Sequence, residues 1–95
     1  MLYNVKYTDV CRNNLKEVSE VLLKYYPSTF QKFIKDFNSK IEILRIFPYS
    51  YQKDYYSENR KIQLKYHYNM LYKIDNYKVI ISEIVSSNKN NQNKN

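Results

Sequence analysis

Residues 60–85 read RKIQLKYHYNMLYKIDNYKVIISEIV, and this stretch decides the fold. Ile62, Leu64 and Tyr66 alternate with Lys61, Gln63, Lys65 and His67. Successive side chains of an extended chain point to opposite faces, so a period of two marks a half-buried strand. A second strand is predicted near Tyr68 to Ile74. Asp75-Asn76 supplies a two-residue hairpin turn, because both residue types tolerate positive φ without glycine. Tyr77 to Val85 completes the run. Its Val79-Ile80-Ile81 core is apolar on both faces, which fits a central strand covered on both sides. Glu83 breaks that run and requires a partner, with a lysine on a neighbouring strand the natural one. The turn near Tyr66-His67 carries no standard turn signal, and the pattern does not place it.

Upstream of this block the period is that of a helix. Cys11, Leu15, Val18, Leu22 and Tyr25 recur at spacings of three and four, leaving Arg12, Lys16, Glu17, Glu20 and Lys24 largely on the other face. Thr8 or Asp9 is placed to cap the start by accepting a free backbone N–H. Pro27 excludes helical geometry at Tyr26, so this helix stops there. Ser28-Thr29-Phe30-Gln31 has the S-x-x-Q form of a capping box and opens a second helix. Its apolar stripe is Phe30, Phe33, Ile34, Phe37, Ile41 and Leu44, and it ends at Phe47-Pro48. With only a Pro-Ser corner between them, the two helices form an antiparallel hairpin. At the start of the chain, Leu2 to Tyr7 has the residues of a strand, with Tyr3, Val5 and Tyr7 in period two. Tyr49 to Asn59 is an exposed link whose tyrosines, Tyr49, Tyr51, Tyr55 and Tyr56, are placed to pack over the helix ends or to stack on bases.

The fold class is therefore α+β in the order β-α-α-β-β-β. A strand and a helical hairpin precede a three-stranded antiparallel meander, and one sheet packs on the helices. Ninety-five residues make one domain, expected over residues 1–86, with a polar tail over 87–95 expected to be disordered. The chain has no glycine, no tryptophan and 12 tyrosines. One cysteine excludes an intrachain disulfide and suits a reducing compartment. Neither a membrane span nor a signal peptide is legible, and the expected location is the cytoplasm.

Net charge is +7. Residues 1–59 hold nine bases against seven acids, whereas residues 60–95 hold seven bases against two acids. That asymmetry points to an acidic partner or a nucleic acid, or to a solvated surface in a lysine-rich composition. One cysteine and one histidine fall short of a metal set, and a phosphate loop without glycine is excluded. No cofactor is expected. Cys11 lies in the core stripe of a helix, where a thiol is inert. The candidate binding surface is Arg60, Lys61, Lys65, Lys73 and Lys89, with His67 added as a general acid or base. Alternation puts Lys61, Lys65 and His67 on one face of one strand.

Several segments resemble the RelE/ParE toxin superfamily, the toxic halves of bacterial type II toxin–antitoxin modules. They are Val5-x-Tyr7-Thr8 before the first helix, Leu15-x-Glu17-Val18 within it, and Ile41-x-x-Leu44-x-x-Phe47-Pro48 at the hairpin end. Tyr68-x-Met70-Leu71-Tyr72 and Val79 to Val85 complete the set. The likeness covers the chain to about Lys89. It implies an antiparallel sheet on a helical hairpin and a cognate antitoxin that wraps the chain. Two activities are implied. RelE-like members are metal-independent endoribonucleases that cut mRNA in the ribosome with a basic site, which maps here to Lys61, Lys65, His67 and Lys89. ParE-like members lack that set and inhibit DNA gyrase. Gln63 stands where a second lysine is usual and Asn69 where an arginine is usual. An amide supplies neither a permanent charge nor the guanidinium's fork of donors. The expectation is a ParE-like toxin, with the nuclease or a non-toxic relative as alternatives.

Overall fold

Thr8 starts the helical half of the molecule in the way its side chain allows. Its Oγ1 accepts the Cys11 amide at 3.0 Å and so caps helix α1, Asp9–Tyr25. The computed structural model describes residues 2–55 and 57–87. Strand β1, Asn4–Tyr7, precedes α1, and helix α2, Pro27–Ile46, follows it. Strands β2, Arg60–Leu64, β3, Tyr68–Asp75, and β4, Lys78–Ser86, complete the order read from the sequence.

The corner between the helices differs from the expected capping box. Tyr26 alone separates them, and α2 begins at Pro27 with no side-chain cap bond. Proline has φ set for a helix and no N–H to leave unpaired, so it takes the first helical position itself. Ser28 is thereby drawn into the first turn. Tyr25, expected in the α1 stripe, is exposed, because it lies on the last turn beyond the reach of the core. The rest of the stripes pack as their spacing requires. Cys11, Val18 and Leu22 from α1 meet Phe33, Phe37, Ile41 and Leu44 from α2 in one core with the sheet, and Leu15, Phe30 and Ile34 pack at its margin.

The sheet order is β1-β4-β3-β2, so β4 is central. β1 runs parallel to β4, whereas β2-β3 and β3-β4 are antiparallel. Ile62, Leu64, Met70, Tyr72, Val79, Ile81 and Ile84 face the helices. The β3-β4 ladder shifts between Leu71, which pairs with Glu83, and Tyr72, which pairs with Ile81, leaving Ser82 as an extra residue. Such a bulge changes which face the following residues occupy. It turns Glu83 outward and Ile84 inward. Glu83 therefore does not need the cation expected for it, and none is bonded to it among the described residues. Helix α1 satisfies the groups that the bulge disturbs. Thr8 Oγ1 donates to the Ser82 carbonyl at 2.6 Å, and the Ile84 amide donates to Asn14 Oδ1 at 3.0 Å.

The structure places the first hairpin turn, which the sequence pattern left open, and moves the second. β2 stops at Leu64, and Lys65-Tyr66-His67 forms the reversal, with φ of 65° at Tyr66 and 64° at His67. Tyr66 is consequently a turn residue and not the third inward residue of a strand. The second turn falls one residue later than expected. Asp75 pairs with Lys78, and Asn76 takes the positive φ, 55°.

Burial holds two acids in their neutral forms. The Cys11 thiol is pushed up to about 11, mainly by desolvation, against the pull of Arg12. The Tyr72 phenol is pushed up to about 12 by desolvation, against Arg60 and with Tyr51, while its OH donates to the Pro48 carbonyl at 2.7 Å. Each proton is held more tightly in the folded chain than at the ordinary values of 9.0 and 10.0. This stabilisation is complete below those values and is lost as pH rises through the folded ones. Urea midpoints measured from pH 8 to 12 are expected to fall, and Tyr72→Phe is expected to flatten the upper part of the fall. Asn14→Ala leaves the Ile84 N–H without its acceptor and is expected to cost about 1–3 kcal/mol in urea unfolding.

Candidate functional site

The sheet has one face on the helices and one turned away from them. Register defines the outer face. Lys6 lies beside Ile80 and Ile80 beside Lys73; Lys61 lies beside Leu71 and Leu71 beside Glu83; Gln63 lies beside Asn69 and Asn69 beside Val85. Lys78 and Asp75 form a further cross-strand pair on this face. Cations and acids are thus interleaved, with Gln63 and Asn69 adjacent at the position where the strands would have to concentrate positive charge.

The sequence-predicted residues are distributed over three places. Arg60 shares the inner face with its register partner Tyr72. Its Nη1 donates to the Tyr51 carbonyl at 2.6 Å, and its guanidinium lies 5.0 Å from the centroid of the Tyr49 ring. These contacts commit Arg60 to holding the link onto the sheet, with Tyr51 packed against the core. Of the link tyrosines expected to pack over the helix ends or to stack on bases, Tyr51 packs on the core, whereas Tyr49 and Tyr55 are 61% and 89% exposed; Tyr56 is outside the described residues.

Lys61 is on the outer face, and its Nζ is 3.6 Å from Asp54 Oδ1. Lys73 is also outer and exposed. Lys65 and His67 are not on the strand face with Lys61, as the uninterrupted alternation implied. They sit in the β2-β3 turn, because β2 ends at Leu64. At about 3.3 Å per residue, Lys65 at the start of the turn is roughly 13 Å from Lys61 along the strand. One phosphoryl group cannot be met by both ends of that span without the long lysine stems converging. Lys89 lies outside the described residues.

The turn is held by its backbone. The Lys65 amide donates to Asp36 Oδ2 at 2.9 Å, and the His67 carbonyl accepts the Ser87 amide at 2.7 Å. Asn69 is buried, 8% exposed, and its Nδ2 donates to Ser87 Oγ at 2.8 Å. Ser87, placed in the tail by the sequence reading, thus bonds to the sheet; residues 88–95 are outside the described residues. Sequence reasoning missed Lys6 and Lys78 as outer-face cations. Lys78 joins Lys73 through the β3-β4 hairpin, whereas Lys6 joins them only through the parallel β1-β4 pairing, which no local pattern encodes. It also missed Asp54 as the partner of Lys61, although an acid in a link preceding a basic strand is a visible signal.

No family model matches the sequence, and no curated protein matches it significantly. Solved structures do match its fold. A chain of the chromosomal ParDE TA system from P. aeruginosa superposes with a TM-score of 0.74 at 12% identity, over 90% of this chain and 96% of that one. A chain of the toxin–antitoxin complex RelBE2 from Mycobacterium tuberculosis gives 0.56 at 18% identity, over 90% of this chain and 99% of that one. The chain has the fold of these ParE- and RelE-type structures, as the resemblance in the sequence implied. Among the described residues, no helix is long and apolar enough to cross a membrane.

Arg60 offers a direct check on this assignment of roles. Arg60→Ala removes the bond to Tyr51 and the contact with Tyr49. It is expected to destabilise the fold by about 1.5–3 kcal/mol, in the range of a charged hydrogen bond. A nucleic-acid contact without a structural role would leave the unfolding midpoint unchanged.

Proposed function

We propose that this protein is the toxin of a bacterial type II toxin–antitoxin module, acts in the cytoplasm, and is neutralised by a cognate antitoxin. Within that class we favour the ParE-like mode: growth inhibition by binding an essential target such as DNA gyrase. The observation that carries this preference is the adjacent Gln63 and Asn69 on the outer face. A nuclease site there requires convergent cations to stabilise charge at the reacting phosphate. Two amides occupy the position, Lys61 is beside Asp54, and Arg60 is turned to the core. The higher TM-score of the ParDE match supports the same side. The RelE-like alternative, a ribosome-dependent mRNA endoribonuclease using Lys61, Lys65, His67 and Lys89, draws support from the exposed Lys61 and Lys65 and the histidine at the turn.

The two modes respond differently to one double variant. Lys61→Ala with His67→Asn removes two of the four candidate nuclease groups, among them the general acid or base, and asparagine keeps the positive φ at 67 that alanine would resist. Induced expression of this variant in bacteria is expected to arrest growth as strongly as the parent does. Purified protein is expected to inhibit DNA supercoiling by gyrase. Loss of growth arrest in the variant, with supercoiling untouched by a large excess of parent protein, would transfer the assignment to the nuclease.

A further inference from the structure

Two successive residues of the β2-β3 turn occupy the left-handed region, Tyr66 at φ 65° and His67 at φ 64°. For a bulky side chain this region is costly, and it persists only where the surroundings enforce it. Composition does not explain the choice. The chain has no glycine but 12 asparagines, and asparagine tolerates left-handed geometry. The other hairpin turn uses one of them, Asn76 at φ 55°. The first turn keeps a tyrosine ring where an amide would relax the backbone.

The turn is held rigid from two sides. Asp36 of α2 accepts the Lys65 amide at 2.9 Å, and Lys40 Nζ donates to the Gln63 carbonyl at 3.3 Å. From the end of β4, the Ser87 amide donates to the His67 carbonyl at 2.7 Å, and Ser87 Oγ accepts from Asn69 Nδ2 at 2.8 Å. His67 is thus engaged through its backbone. These bonds fix the main chain and leave the side chains before it unengaged. Among the described residues, neither Lys65 Nζ nor the Tyr66 ring or hydroxyl has a bonded or stacked partner. A fixed backbone that presents free side chains has already lost the freedom a flexible loop would lose on binding.

Charge narrows the partner. Lys65 is exposed, and so is Lys32, one helical turn before Asp36 on the same face of α2. Asp36 is itself paired with Lys40 at 2.9 Å, so this corner is cationic and fits an acidic surface. Shape favours a protein over a nucleic acid. A nucleic-acid strand needs cations spaced along a groove and whole ring faces on which bases stack. Here Gln63 intervenes before the next outer-face cation, Lys61, which is beside Asp54, and Tyr66 has only 38% of its surface exposed. A partly covered tyrosine flanked by lysines suits a pocket with an apolar floor and an acidic rim. We propose that this turn is the element that engages the target, with the Tyr66 ring seated in an acidic pocket of a protein and Lys65 and Lys32 on its rim. The inference rests on the ParE-like reading and names the part of the chain that acts in it.

The test uses the full chain, with DNA gyrase as the probe. Tyr66→Asn relaxes the turn and removes the ring. It is expected to raise the thermal unfolding midpoint, yet to increase the concentration needed for half-inhibition of supercoiling about tenfold or more. Tyr66→Phe, which keeps the ring, is expected to retain inhibition. Lys32→Ala with Lys65→Ala is expected to weaken inhibition and to make what remains less sensitive to salt. A Tyr66→Asn protein that inhibits as well as the parent overturns this docking element and leaves the toxin reading standing. A lowered midpoint in that variant also overturns it, because the strain from which it is argued would be absent. Retention of labelled single-stranded RNA by the parent, lost in Tyr66→Asn, would assign the turn to a nucleic acid and overturn the proposal. If the parent leaves supercoiling untouched, both the ParE-like reading and this inference fall.

Discussion

Everything on the sheet depends on how β4 carries its bulge. A strand of strict alternation through Val79, Ile81 and Glu83 would aim a carboxylate at the helices, where an unpaired charge is costly. The extra residue at Ser82 resets the phase, so Ile84 faces the core and Glu83 faces out. The reset leaves backbone groups out of register, and an orphaned buried N–H or C=O costs as much as a lost hydrogen bond. Thr8 and Asn14 take up those groups from α1. One hydroxyl therefore caps a helix and anchors the central strand at once, which fixes where α1 sits on the sheet.

The second helix is fixed by similar means at the opposite edge. Asp36 spends one oxygen on Lys40 and the other on the Lys65 amide, so α2 holds the end of β2 where the hairpin reverses. The reversal uses two consecutive left-handed residues, Tyr66 and His67, neither of them glycine. A tight turn without glycine must store this strain, and the contacts from Asp36 and Ser87 are what oppose it. The same geometry removes Lys65 and His67 from the strand and spreads the basic residues, so the charge of the final third is spent partly on architecture.

Much of the fold was legible because proline and periodicity act locally. Pro27 and Pro48 end their helices whatever surrounds them, and the stripes from Cys11 to Leu22 and from Phe33 to Leu44 follow from spacing alone. The central position of β4 was legible in Val79-Ile80-Ile81, but the cover expected on both its faces is present on one: Val79 and Ile81 meet the helices, whereas Ile80 lies on the outer face between Lys6 and Lys73. What could not be read were the features set by partners distant in sequence. Arg60 looks like any base at a strand start until Tyr51 and Tyr49 are folded onto it. Lys6 and Lys73 come together on either side of Ile80, and the pairing that brings Lys6 there spans most of the chain. A lysine at an alternating position reveals its face, whereas its nearest charge depends on tertiary structure, as Asp54 does for Lys61. The missing cations were the exception. Gln63 and Asn69 are visible as amides in the sequence, and the fold adds that they are neighbours and that Asn69 is buried against Ser87.

The parallel pairing of β1 with β4 has a consequence for the order of events in the cell. Thr8 and Ser82, whose bond joins the two ends of the fold, are 74 residues apart. During synthesis the first strand emerges long before its only sheet neighbour exists. The helical hairpin can form early from local contacts, but the sheet gains its centre only when β4 has cleared the exit tunnel. Long-range pairing of this kind delays folding until loop closure is rewarded. The nascent chain therefore stays incomplete, with its outer face unbuilt, until residues 78–86 have emerged. Whatever this face binds, it can do so only once β4 has joined β1 to β3.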